Sequence, residues 1–403
     1  MYEELAILAV YVFIYSIIAG RIERGFFSGP IVFVASGIIL GPLVLGLFDL
    51  QITTRELRIL ADLTLALVLF IDAANADLST LRRYIKIPSR MLFIGLPGAI
   101  LLGFGFAVLL FDGLSLFEAA ILATMLAATD AALGKAVITN KSVPIHVREG
   151  LNAESGLNDG LCVPVLFVFI ALAEGVEAHG SGMSLALTLV AEELGIGLLV
   201  GIGLTAIAAP LLRACWRRGW VTEVWEQVTI IALAIACFTV AQSLHGSGYI
   251  AAFTGGLLFG HLAKDSTHKL VLAAEGDAET LAMLTWLVFG AAVVGQFADL
   301  ITWQVIGYSV LSLTLIRIIP IFLSLTGTGE PTANKLFLGW FGPRGLASIV
   351  FAIIVMNNDL PGGKLMAMVV ACTVILSLIA HGITARPLAN WLARKGGTSA
   401  EQD

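Results

Sequence analysis

Charge is what this chain has least of. Asp, Glu, Lys and Arg make up 13% of its 403 residues, where a soluble domain carries about 25%, while 58% are hydrophobic and the mean hydropathy is +0.94. That balance excludes a water-soluble fold and places most of the length in a lipid bilayer. Cysteine is scarce too: Cys162, Cys215, Cys237 and Cys372 lie in or beside apolar runs without disulfide or metal spacing, so they read as small core residues. The sequence contains no phosphate-binding loop and neither a His-Glu-x-x-His nor a Gly-x-Ser-x-Gly motif. An ATP-driven pump and an intramembrane hydrolase are therefore disfavoured, no enzymatic activity, cofactor or nucleic-acid partner is expected, and driving energy should come from an ion gradient or passive flow. Glu3 and Glu4 stand where a cleavable signal would be basic, so no such signal is expected.

What the chain has in abundance is apolar runs. Thirteen are long enough to span, near 5–20, 28–48, 57–74, 89–111, 116–138, 150–173, 184–212, 225–244, 248–263, 279–297, 303–325, 335–356 and 365–392. The expected fold is an all-α polytopic membrane protein, and an odd number of spans puts the termini on opposite sides. Loops after odd-numbered spans hold 18 of the 23 Lys and Arg residues, among them Arg24, Arg82, Arg83, Arg217, Arg218 and Lys264. Loops after even-numbered spans hold only Arg55, Arg58 and Lys364. Because excess Lys and Arg stays in the cytoplasm, the N-terminus is expected outside and the C-terminus, with a short tail, inside. The two remaining arginines, Arg317 and Arg344, fall within spans 11 and 12.

The polar stretch Glu154-Ser155-Gly156-Leu157-Asn158-Asp159 opens span 6. Glu154 and Asn158 are four residues apart, as are Ser155 and Asp159, so on a helix the four side chains share one face. The 11 residues from Arg148 to Asp159, at ~1.5 Å each, carry Asp159 roughly 16 Å into a ~30 Å hydrocarbon layer. An acid at that depth is costly enough to be functional by default, and hard oxygen ligands there suit a monovalent cation or a proton.

Two spans are interrupted. Span 5 contains Ala128-Thr129-Asp130-Ala131-Ala132-Leu133-Gly134, and span 12 contains Gly342-Pro343-Arg344-Gly345, where proline removes a backbone donor and glycine loosens the helix. These are the fifth of the first six spans and the fifth of the last six. Corresponding interruptions mark an inverted-repeat transporter, with residues 1–173 as the first repeat, 174–224 as a linker helix and 225–403 as the second repeat. Asp130, Glu154, Asp159, Arg317 and Arg344 then share mid-membrane depth. If all are ionised, one negative charge remains, and one bound sodium or one proton neutralises it. Glu154 with Arg317, and Asp130 with Arg344, read as stabilising pairs; Asp159, with no base left over, reads as the ion site.

Other features have plainer readings. Asp62 and Asp72 lie toward the two ends of span 3 and are expected against water or headgroups. The spacings Gly37 to Gly41, Gly197 to Gly201 and Gly256 to Gly260 suggest close helix packing. His245 and Tyr249 border a short outer loop, and Glu174, Glu177 and His179 a second one.

Taken together, Ala128-Thr129-Asp130, Glu154-Ser155-x-x-Asn158-Asp159-Gly160, Arg317 and Gly342-x-Arg344-Gly345 resemble the cation/proton antiporters of the sodium/proton exchanger branch, the monovalent cation:proton antiporter 1 group of NhaP type. The resemblance implies that Asp159 binds ion and proton in turn. Thr129, Asp130, Ser155 and Glu154 would complete or support a sodium site, with Asn158 positioning it. It implies Arg317 as partner of Glu154 and Arg344 as counter-charge where the broken helices cross. It also implies a homodimer in the bacterial inner membrane, a role in pH homeostasis and, because the pair is Asn-Asp, electroneutral exchange. Ala131, where members often carry proline, and Pro343, where they often carry leucine, depart from the pattern. A potassium/proton antiporter and a gated cation channel remain the alternatives.

Overall fold

The computed structural model describes residues 2–22, 29–47, 54–75, 86–130, 133–138, 140–177, 183–262, 267–294, 298–358 and 360–400. Ala131, His179 and the basic residues Arg24, Arg82, Arg83 and Lys264 lie outside the described residues.

Helix falls within each of the apolar runs, though not over the whole length of every one. In chain order the helices are α1 (Tyr2–Ile22), α2 (Gly29–Leu40), α3 (Thr54–Asn75), α4 (Lys86–Leu110), α5a (Leu116–Met125), α5b (Lys135–Ile138), α6 (Ile145–Glu177), α7 (Met183–Arg217), α8 (Glu223–Ser243), α9 (Gly248–Leu262), α10 (Thr267–Phe289), α11a (Trp303–Leu313), α11b (Leu315–Ser324), α12a (Thr332–Trp340), α12b (Leu346–Asn357) and α13 (Gly363–Ala400). Large apolar side chains point outward, Phe93 at 72% and Leu109 at 76% exposure, as a lipid-facing surface requires. Among the described residues, five helices, α4, α6, α7, α11 taken whole and α13, are long and apolar enough to cross a membrane by length and composition.

The breaks have local causes. α5a opens on a reciprocal cap in which Ser115 Oγ accepts the Glu118 N–H and Glu118 accepts the Ser115 N–H. It stops at Met125, ahead of the Thr129-Asp130 stretch whose polar groups find partners elsewhere. α12a and α12b are separated by the non-helical residues 341–345 around Pro343. A further interruption sits in span 11, where Thr314 leaves helical geometry (φ −113°, ψ −97°) just before Arg317. Nothing in the sequence marks it.

Packing divides the helices into two groups. In one, α9 lies on α3, α7 and α8, and α10 lies on α2 and α3; in the other, α4 lies on α5a and α11b, and α13 on α11a and α12b. Close approach in the first group depends on missing side chains: a Cβ on Gly37 would collide with the Leu287 carbonyl, on Gly256 with that of Phe70, and on Gly201 with that of Ala251. α6 packs on α5a in the second group and on α3, α7 and α9 in the first, while α12b packs on α3. The polar face of α6 therefore lies where the two groups meet.

Candidate functional site

Glu154, Ser155, Asn158 and Asp159 are all buried on one face of α6. Across from them, α11b brings in Arg317, whose Nη1 and Nη2 donate to Glu154 Oε1 and Oε2 at 3.0 and 2.9 Å. Both partners are withdrawn from solvent, so the fork geometry is what makes the pair tolerable. Asn158 ties α6 to the broken span 5. Its Oδ1 accepts the Thr129 N–H at 3.3 Å, and its Nδ2 donates to Thr129 Oγ1 at 2.5 Å and to Glu154 Oε1 at 3.3 Å. The Thr129 and Ser155 hydroxyls lie 3.1 Å apart. One helical turn from Ser155, Asp159 Oδ1 is buried with no hydrogen-bond partner among the described residues. A buried carboxylate oxygen in that state, on the same helix face as Ser155, is chemically suited to a small cation or a proton.

The two breaks are stitched to each other. Asp130 Oδ2 accepts the N–H of Leu346, the first residue of α12b, and the Asp130 N–H donates to the Pro343 carbonyl at 2.8 Å. Arg344, wholly buried, donates from Nη1 to the Ala127 and Ala128 carbonyls just past α5a, both at 3.2 Å. Gly342 and Gly345 are the residues that leave room for this: a Cβ on Gly342 would strike the Arg317 guanidinium, and one on Gly345 the Asp130 carboxylate.

With that geometry in hand, the family model described as "Sodium/hydrogen exchanger, transmembrane" matches residues 7–391. The chain belongs to the sodium/hydrogen exchanger family. It is accordingly a multi-pass membrane protein. A probable Na(+)/H(+) antiporter of Schizosaccharomyces pombe is 26% identical to this exchanger-family chain over 89% of its length, and a K(+)/H(+) antiporter NhaP of Alkalimonas amylolytica is 26% identical over 70%. The alignments take in 52% and 48% of those proteins, so the chain spans about half the length of the curated relatives it matches. Two structures of the sodium proton antiporter MjNhaP1 from Methanocaldococcus jannaschii, one at pH 8 and one from electron microscopy, share the fold at TM-scores of 0.79 and 0.80. They are 21% and 20% identical to this chain, covering 97% and 96% of it and 98% and 97% of theirs.

The structure corrects two readings of span 3. Asp72 does not look toward headgroups. It is half-buried, its carbonyl lies 3.7 Å from where Gly156 of α6 would carry a Cβ, and its carboxylate is within electrostatic reach of Asp130, Asp159 and Glu275. The count of three mid-membrane acids is therefore short by one, because the packing of α3 on α6 carries no trace in either segment alone. Asp62 is likewise buried, accepting the Tyr249 hydroxyl at 2.5 Å with Arg58 Nε 3.6 Å away. Tyr249 is then a core residue that holds an acid rather than the rim of an outer loop.

Proposed function

We propose that this chain exchanges sodium, or lithium, for protons by alternating access, with Asp159 as the site both ions share. The observation that carries the reading is the buried Asp159 Oδ1 without a hydrogen-bond partner among the described residues, one turn along α6 from Ser155, whose hydroxyl meets that of Thr129. Family membership and the MjNhaP1-like fold support it. In this reading Asp159, Ser155 and Thr129 offer the oxygens that replace a cation's water, while Glu154, Asp130, Asn158, Arg317 and Arg344 keep them in place. Competition follows from one carboxylate that holds a sodium ion or a proton, never both. The group α4, α5, α6, α11, α12 and α13 would move against the other as a mobile bundle, carrying the ion bound at Asp159 across. Residues 1–173 and 225–403 would be the two repeats, with α7 linking them.

The wider setting belongs to the same proposal: a homodimer in a bacterial inner membrane, the N-terminus outside, serving pH homeostasis. The exchange is taken as electroneutral, although Asp72 adds a charge that the Asn-Asp argument did not include.

Proton flux driven by sodium, lithium or potassium in proteoliposomes, for the parent and Asp159→Asn, tests it. The parent should exchange and the variant should not; equal rates would overturn the assignment, and single-channel currents in place of counter-flow would revive the channel. The second reading, potassium for protons, is favoured by the name of the Alkalimonas amylolytica relative, and cation competition in the same assay decides it.

A further inference from the structure

His381 sits in the apolar helix α13, and none of the site residues touches it directly. It is nonetheless buried and fully engaged. Nε2 lies 2.9 Å from the carbonyl of Trp340, the last residue of α12a, and Nδ1 lies 2.9 Å from the Ser377 carbonyl and 3.2 Å from the Ser377 hydroxyl. The Ser377 hydroxyl oxygen in turn accepts the backbone N–H of Arg344 at 2.8 Å. One turn further along, Thr384 Oγ1 accepts the Trp340 indole N–H at 3.0 Å. Positions 377, 381 and 384 share one helical face, so a single stripe of α13 holds both ends of the non-helical stretch between α12a and α12b.

The chemistry of each contact is constrained. Nε2 faces a carbonyl that can only accept, whereas Nδ1 faces both the Ser377 carbonyl and a hydroxyl able to donate, so the neutral tautomer that gives both nitrogens a partner carries its proton on Nε2 and donates it to Trp340 O. That carbonyl ends a helix and accepts the Gly342 N–H at 2.9 Å on one side, so the imidazole supplies the partner for its second lone pair. At the other end the Ser377 oxygen is fixed by the Arg344 N–H, and its own proton is free for Nδ1.

We infer that His381 is a positioning residue for the broken span 12, and that it sets the cation site from behind: through Ser377 to the Arg344 backbone, through the Arg344 guanidinium to the Ala127 and Ala128 carbonyls, and so to Thr129. This rests on the ion-site reading above for its effect on cation affinity, but not for its effect on the backbone, and the two are separable.

The test uses the geometry of the ring. A glutamine amide places its nitrogen near Nε2 and can still donate to Trp340 O; an asparagine amide reaches only the Nδ1 position. In the full-length protein, backbone hydrogen exchange over residues 340–346 should be about tenfold faster in His381→Asn and His381→Phe than in the parent, and restored by His381→Gln. Sodium titrations of transport should show the half-saturating concentration raised in His381→Asn and in Ser377→Ala, near parental in His381→Gln, and no further raised when the Asn and Ala changes are combined. Equal exchange protection in Asn and Gln variants would overturn the inference. So would a loss of maximal rate without any change in half-saturation in a parent that does transport sodium. If the parent moves no sodium, the ion-site reading fails, and the hydrogen-exchange comparison alone decides the role of His381.

Discussion

Asp130 and Arg344 each close the break in the other's helix. The Asp130 carboxylate accepts the Leu346 N–H at 3.0 Å at the start of α12b, and the Arg344 guanidinium holds the carbonyls of Ala127 and Ala128 beyond the end of α5a. An anion at a helix start and a cation at a helix end are each the sign that the peptide dipoles favour. The two charges cross over, and each satisfies backbone groups of the opposite break.

The crossing leaves no space at Gly345 or Gly342. Gly345→Ala would drive a methyl group into the Asp130 carboxylate and Gly342→Ala into the Arg317 guanidinium, whereas Gly156→Ala would meet only the Asp72 carbonyl at 3.7 Å. The first two are expected to cost roughly 1 to 3 kcal/mol each and the third far less. Thermal unfolding of the three variants in detergent checks this, and similar melting temperatures for all would refute the packing argument.

Removing one member of the Glu154–Arg317 pair leaves the other charged and buried. Glu154→Leu or Arg317→Met alone is expected to lower stability by about 3 to 5 kcal/mol, and the double variant of the two to recover much of that. Chemical denaturation of both single variants and the double closes the cycle. Additive losses would show that the pair is not coupled.

Asp72 contributes field rather than direct capture if its half-buried position is what the cation senses. Asp72→Asn should then raise the half-saturating sodium concentration several-fold while exchange continues, as one charge acting through an effective dielectric of about 20 would do. Transport titrations distinguish this from Asp159→Asn, which should abolish exchange. A silent Asp72→Asn would remove Asp72 from the site.

Beyond the ends of the spans, Glu330 accepts from Asn334 Nδ2 at 2.7 Å and lies 3.3 Å from His146 Nε2. The hydrogen bond from His146, chiefly, holds the Glu330 carboxyl below its ordinary value. A carboxyl lowered on folding contributes stability above its ordinary value and loses it as pH falls through the lowered one. Glu330→Gln should therefore lower the melting temperature near neutral pH and make little difference near pH ~3. A gap that persists in acid would argue against the His146 bond as its source.

The sequence was informative wherever a residue's cost depends on itself and its near neighbours. Apolar length located the spans, and the cost of an acid in hydrocarbon pointed to Asp159. The i, i+4 spacing put Glu154, Ser155, Asn158 and Asp159 on one face, and Pro343 between Gly342 and Gly345 marked an unwound stretch. Thr314 broke its span unannounced, because a threonine in an apolar run has no propensity strong enough to flag the break.

Tertiary structure decided what meets across helices. It set Asp72 opposite Gly156, buried Asp62 under the Tyr249 hydroxyl, brought Arg344 to the Ala127 and Ala128 carbonyls, and set His381 against the Trp340 carbonyl. The physical reason is one of range. Burial in lipid is a property that a stretch of about 20 residues carries by itself, whereas a hydrogen bond between residues 187 or 217 positions apart exists only once packing has brought the two helices together.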